Sequence, residues 1–201
     1  MNTLDGKILK YPSDPPSVDP RNALRFPPIK GTTVIGIGHK ARQGKDTTAT
    51  IIERLVDGGM LRFGFADALY DVARAMFGMT EKDAPLLQVL GTDVFRRKDP
   101  EVWLRTLYYK IKDKSPRVAV ITDVRFENEA VFVQEMGGYL IKVNRLNDDG
   151  SPFVAPDRSP NHPSETALDS FDDWNYVINA GSGRLDLIEK SVRAIVNHLE
   201  L

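Results

Sequence analysis

Cysteine is absent from the 201 residues, which excludes disulfides, thiolate metal sites and thiol nucleophiles. Long apolar runs are missing too. No stretch approaches the ~18–20 residues that span a bilayer, and the opening MNTLDGKILKYPSDPP has no apolar stretch of the signal-peptide kind. Charge of one sign is also lacking: 27 Lys and Arg against 28 Asp and Glu leave a formal net charge of −1. Such balance speaks against a broad cationic face for a nucleic acid polymer or a membrane. The three histidines, His39, His162 and His198, show no metal-ligand spacing. These absences together lead us to expect a cytoplasmic protein.

What is present is a repeating pattern. Residues 1–30 hold six of the 13 prolines and little apolar periodicity. They read as a Pro-rich arm that either lies on the domain or is disordered. Over residues 31–201, enough for one domain, short β-branched runs alternate with helical spacings. Strands are predicted at 32–38, 60–65, 118–122, 139–144 and 176–179. Helices are predicted over 46–56, from Asp67 to Gly78, from 83–85 onward, from Asp99-Pro100 onward, over 127–136, and from Leu185. Residues 146–163 read as a polar loop. Alternation of this kind predicts an α/β fold, a five-stranded parallel sheet with helices on both faces.

The first strand runs into VIGIGHKARQGKDTTAT. This is close to the phosphate-loop pattern G-x-x-x-x-G-K-[ST], with His39 where the first Gly belongs and Asp46 where the hydroxyl belongs. Unpaired backbone N–H groups and the helix dipole make such a strand–loop–helix junction attractive to phosphate. Gly44 permits close approach and Lys45 adds a fixed charge. Arg42 and Gln43 sit in the same loop. Asp46 or Thr47 is positioned to engage Mg2+ arriving with a nucleotide. The alternative at this level is a solvated strand–helix turn.

LLQVLGTDVFRR, DPEVWLRTL, ITDVRFENEA and HPSETALD followed by YVINAGSGRLDLI, read with GHKARQGKDTTA, resemble the deoxynucleoside monophosphate kinases of tailed bacteriophages. GKDT is the form those kinases use; His39 departs from their small residue. The resemblance covers roughly residues 32–200. It implies a P-loop NTPase fold of the nucleoside monophosphate kinase-like, three-layer type. It also implies ATP with Mg2+ as donor, a deoxynucleoside monophosphate as acceptor, and host cytoplasm as location if phage-encoded. Carried over by motif, Gly44, Lys45, Asp46 and Thr47 hold the ATP phosphates and magnesium. Lys40, Gln88, Thr92, Trp103, Asp123, Arg125, Glu129 and Glu165 face the acceptor. The resemblance allows a homodimer.

Elementary chemistry supports several of these roles. Phosphoryl transfer needs two anions positioned and their charge neutralised, and Lys45, Lys40 and Arg125 supply cations from two strand ends. Arg125 has the planar fork suited to a phosphate, or it pairs with Glu127 or Glu129. Asp123 ends a buried strand, where it faces the ligand crevice or caps the next helix. Gln88 can read a base edge. Trp103 offers a stacking face but also lies on an apolar stripe. Arg96, Arg97 or Arg105 could serve as an arginine finger, and Arg145 and Arg158 as a lid. Two other readings stay open: another small-molecule P-loop kinase, of the dephospho-coenzyme A kinase type, or a nucleotide-dependent binding protein without transfer activity.

Overall fold

The structure, a computed structural model, describes residues 25–156 and 159–201, with the backbone of 3–4 and 7–8. Strands β1 (Thr3–Leu4) and β2 (Lys7–Ile8) form a two-residue antiparallel ladder. The rest of the arm before residue 25 lies outside the described residues. Its last part lies on the domain: Phe26 is buried with its ring edge-on to Phe132, centroids 4.8 Å apart, and Arg25 pairs with Glu135 at 2.9 Å.

The chain divides into two compact units, residues 1–62 with 116–201, and residues 63–115. The first holds the sheet. Its strands are β3 (Thr33–Gly38), β4 (Met60–Phe63), β5 (Val118–Val124), β6 (Tyr139–Leu146) and β7 (Tyr176–Gly181), in the order β4-β5-β3-β6-β7. β3 pairs in parallel with β5 and β6, and β6 in parallel with β7. The expected five-stranded parallel sheet is therefore present.

Alternate residues on β3 face opposite ways, as the period of two requires. Ile35 and Ile37 pack with α1 (Lys45–Leu55) and α7 (Leu185–His198) through Ala49, Ile52, Ile188, Val192 and Ile195. Gly36 points the other way. A Cβ there would lie 2.9 Å from Val133 of α5 (Glu127–Glu135). Helices thus cover both faces, and the carboxyl ends of the central strands carry the phosphate-loop sequence.

The second unit is helical: α2 (Asp67–Phe77), α3 (Ala84–Gln88) and α4 (Val102–Lys114). Asp83 caps α3 by accepting from the Leu86 N–H at 3.0 Å, with Pro in the first turn, as expected. Asp67 stands one place inside α2 and bonds back to the Gly64 N–H instead of capping. After Gln88 the chain widens into a π-helical stretch, Val89–Arg96, which apolar spacing does not reveal. Gly91 lies in it, where a Cβ would come within 2.8 Å of Leu69.

Two boundaries differ from the sequence reading in ways that matter. β5 continues through Val124 because pairing resumes at Gly38↔Val124 after a register shift. Asp123 therefore belongs to the strand. Where the polar loop ends, α6 (Pro163–Thr166) forms a single turn capped by His162, whose Nδ1 accepts from the Ser164 N–H.

Candidate active site

The loop between β3 and α1 takes the phosphate-cradling form. Gly44, the residue before α1, has φ 101° and ψ 17°, a left-handed conformation that suits glycine. Arg42 is also left-handed, at φ 55°. α1 begins at Lys45, so its unpaired N–H groups open towards the loop. Thr48 Oγ1 returns a 3.0 Å bond to the Gly44 carbonyl.

Lys45 is buried, and its ammonium donates to the carbonyl of Lys40 within its own loop. Burial lowers its pKa to about 8, helped by the Arg125 charge and opposed by Asp46, Glu165 and Asp123. Those causes place Arg125, Glu165 and Asp123 within electrostatic reach of the lysine. Four sequence-derived site residues thus act on the Lys45 ammonium.

Glu165, on α6 and buried, ties the loop to Arg125. One carboxylate oxygen accepts the Ala41 N–H at 2.8 Å and the other pairs with Arg125 Nη1 at 2.8 Å. The carboxylate paired with Arg125 Nη1 is therefore that of Glu165. Glu129 accepts the N–H groups of Arg125 and Phe126 at 2.9 and 3.2 Å, which caps α5 and fixes where Arg125 leaves the backbone. Asp123 is half-buried near the end of β5.

His39 is buried and occupies the first-glycine place. Its Nε2 is 3.0 Å from Asp169 Oδ1, and its ring meets Trp174 edge-on at 6.2 Å. Lys40 pairs with the same carboxylate at 2.7 Å. Burial lowers the His39 pKa to about 4, with Lys142 and Lys40 adding to the effect and Asp169 opposing it, so the ring is neutral at pH 7.

Gln43 is buried too, and both ends of its amide are used. Nε2 donates to the Phe153 carbonyl at 2.9 Å, and Oε1 accepts the Arg145 N–H. Arg145 lies over the Phe153 ring, 4.0 Å from its centroid, and its Nε donates to Ser182 Oγ at 2.9 Å. The phosphate loop is thereby fastened to the polar loop, a link no sequence pattern suggested.

A cavity of about 360 Å³ opens beside this loop. Gly44, Asp46, Thr47 and Arg42 line it together with Arg145, Gly181, Arg184 and Ile188. The volume is that of a small-molecule site. Asp46 is exposed and Thr47 half-buried in the first turn of α1. One carboxylate and one hydroxyl fit a magnesium ion brought in by a nucleotide. No cluster of three or more His, Cys, Asp or Glu suited to a metal occurs among the described residues, and no helix among them is long and apolar enough to cross a membrane.

The remaining predicted residues, Arg158 apart, lie in the second unit. Gln88 is exposed at the end of α3. The side chain of Thr92 is outside the described residues, as is Arg158. Trp103 is buried, donates its N–H to the Gly91 carbonyl at 3.2 Å, and packs on Phe95. Arg105 is engaged by Asp99 and Glu101; Arg97 is exposed and Arg96 half-buried.

A parallel sheet whose central strand feeds a left-handed glycine, a buried lysine and a helix N-terminus, with an arginine held alongside, defines a P-loop kinase-type protein. Comparison with known proteins agrees. The chain is 31% identical, over an alignment of 178 residues, to a protein of Acanthamoeba polyphaga mimivirus named "Putative deoxynucleotide monophosphate kinase". The match spans 72% of this chain and 86% of that one. This chain belongs to the family of that protein, and is a kinase of the nucleotide or small-molecule type. No family model matches. Solved structures similar to it include the tunicamycin resistance protein of Deinococcus radiodurans (TM-score 0.47, 14% identity, covering 85% of this chain and 96% of that one). Another is shikimate kinase from Bacteroides thetaiotaomicron (TM-score 0.46, 16% identity, covering 84% and 99%).

Proposed function

We propose that the protein is a deoxynucleoside monophosphate kinase, converting ATP and a dNMP to ADP and a dNDP. The observation that carries the reading is the Glu165 bridge. It holds Arg125, a second cation with a phosphate-shaped fork, against the loop that grips the donor. A second cation with a two-pronged face beside the donor loop suits a phosphorylated acceptor. The name of the mimivirus relative supports the same acceptor class.

In this reading an acceptor phosphate oxygen attacks the γ-phosphorus, and the bond to the bridging oxygen of ADP breaks with its electron pair leaving on ADP. The attacking oxygen is already anionic, so no general base is required. Lys45 exchanges the Lys40 carbonyl for donor phosphate oxygens, and the loop N–H groups hold the rest. Arg125 holds the acceptor phosphate, and Lys40 adds charge on that side. Asp123 helps keep Lys45 protonated, while Glu129 and Glu165 act by positioning. Asp46 and Thr47 would hold magnesium arriving with the donor, which would supply charge neutralisation. Gln88 and Thr92 are the residues we assign to acceptor recognition in the second unit, with Trp103 supporting their scaffold.

The test is ADP release with ATP and magnesium over the four dNMPs, their ribose counterparts, dephospho-coenzyme A and simple sugars. Stimulation by at least one dNMP is expected. Stimulation by a non-nucleotide and by no dNMP overturns the assignment, and ATP hydrolysis that no acceptor accelerates points to a binding protein instead.

A further inference from the structure

We infer that Asp169 is a positioning residue for phosphoryl transfer, setting the direction in which Lys40 offers its charge. The inference deepens the reading above and rests on Lys40 serving the acceptor side.

The main chain at Lys40 is held on both sides. Its carbonyl receives the Lys45 ammonium, and the next N–H, that of Ala41, is bound by Glu165 at 2.8 Å. The side chain is a different matter. A lysine carries its charge on a flexible four-carbon stem, and left loose it would spread that charge over many rotamers. Asp169 removes this freedom: its Oδ1 lies 2.7 Å from Lys40 Nζ.

The anchor is itself anchored. The same oxygen is 3.0 Å from His39 Nε2, and that ring is buried against Trp174. The Asp169 N–H donates to the Thr166 carbonyl at 2.9 Å, which ties it to the turn that carries Glu165. Glu165 and Asp169 thus grip the phosphate loop at adjacent points, the first by its backbone and the second by its side chains.

Holding Lys40 in this way does not silence it. An ammonium has three donors, and Asp169 needs only one of them. The charge of Lys142 also reaches Asp169, so two ammonium groups share one carboxylate beside a neutral imidazole, and positive charge is left over. The Lys40 side chain is 35% exposed and, with Glu165, lines a cavity of about 80 Å³, so its remaining donors can meet a ligand. An ion pair this exposed adds little to stability; what it supplies is direction.

The experiment is initial-rate kinetics on wild type, Asp169→Ala, Asp169→Asn, Lys40→Ala and the Asp169→Ala, Lys40→Ala double variant, with ATP, magnesium and the preferred dNMP. Asp169→Ala should raise KM for the dNMP by about 5- to 10-fold, the scale of one hydrogen bond. KM for ATP should change by less than about twofold, since the donor contacts are untouched. Asp169→Asn keeps an oxygen for Lys40 and should raise the dNMP KM less, by about 2- to 3-fold. In the Lys40→Ala background, Asp169→Ala should add nothing, because its effect passes through the lysine. An equal rise in that background shows that Asp169 supports its segment independently of Lys40 and overturns the inference. So does an unchanged dNMP KM, or a rise confined to ATP. Should Asp169→Ala not fold, Asp169→Asn with and without Lys40→Ala makes the same comparison. These failures in a working dNMP kinase overturn only the role of Asp169; a wild type that phosphorylates no dNMP overturns the acceptor assignment as well.

Discussion

Glu165 and Arg125 form a 2.8 Å ion pair with only about a fifth of the arginine side chain exposed and the carboxylate nearly enclosed. The same carboxylate holds the Ala41 N–H, so one side chain joins the phosphate loop to Arg125. Glu165→Ala leaves both the guanidinium and the N–H without their acceptor. Breaking a buried pair from one side costs about 3–5 kcal/mol, and the partial exposure of Arg125 reduces this to roughly 2–4 kcal/mol. Glu165→Gln should cost less, because its amide oxygen still accepts from Ala41. Urea unfolding measures the order, and equal stability of all three proteins would remove the bridge from the account.

Lys45 is the second test of the site. Its ammonium is held off solvent and parked on a carbonyl of its own loop, which leaves it ready to transfer to a phosphate. Lys45→Ala should lower kcat by roughly 10²-fold or more, the scale for losing one charge-stabilising group. Thermal unfolding should stay close to wild type, since no burial cost for the charge remains. Near-normal turnover would take Lys45 out of the mechanism.

How far the sequence exposed all this depends on the kind of signal. β3 and β5 were legible because Val34–Ile37 and Val118–Ile121 are continuous apolar runs. Gly44, Lys45 and Asp46 were legible because their chemistry is local, within one strand–loop–helix junction. Partners far apart in the chain were not. Nothing in Phe153 or Ser182 marks them as holding Arg145, and nothing in Asp169 marks it as the anchor of His39 and Lys40. Glu165 entered only through a family resemblance; its bond to a loop N–H depends on a four-residue helix too short to show a period. The π-helical stretch after Gln88 was hidden because its apolar residues fit an α-helical spacing equally well.

Acid should expose the cost of burying His39. In the unfolded chain the ring takes a proton near pH 6.5, whereas the folded protein delays this to about 4. Between those values the unfolded state binds more protons, so stability falls as pH drops from 6.5 towards 4. The size is on the order of 2–3 kcal/mol. His39→Gln cannot take up that proton and should lose less stability over the same range. Urea midpoints at pH 7.0 and 4.5 for both proteins give the difference, in which carboxylates common to the two cancel. Identical slopes would mean that the ring is not buried in its neutral form.

Gly38, the last residue of β3, sets how close the loop can come to the segment that carries Asp169 and Trp174. A Cβ at this position would lie 2.6 Å from Trp174 Cη2 and 2.9 Å from the Val124 carbonyl oxygen. Trp174 cannot simply retreat, because its ring meets Phe171 edge-on at 5.3 Å and its N–H is held by the Phe171 carbonyl at 2.9 Å. Gly38→Ala should therefore destabilise by about 1–3 kcal/mol. Trp174→Leu alone should also destabilise, by leaving a cavity next to His39. Combined, the two should cost less than their sum, because the shortened side chain makes room for the new methyl group. Relief should be incomplete, since the backbone oxygen of Val124 stays where it is. A double-mutant cycle by urea unfolding measures the coupling. Simple additivity would show that the glycine and the indole do not share the space described.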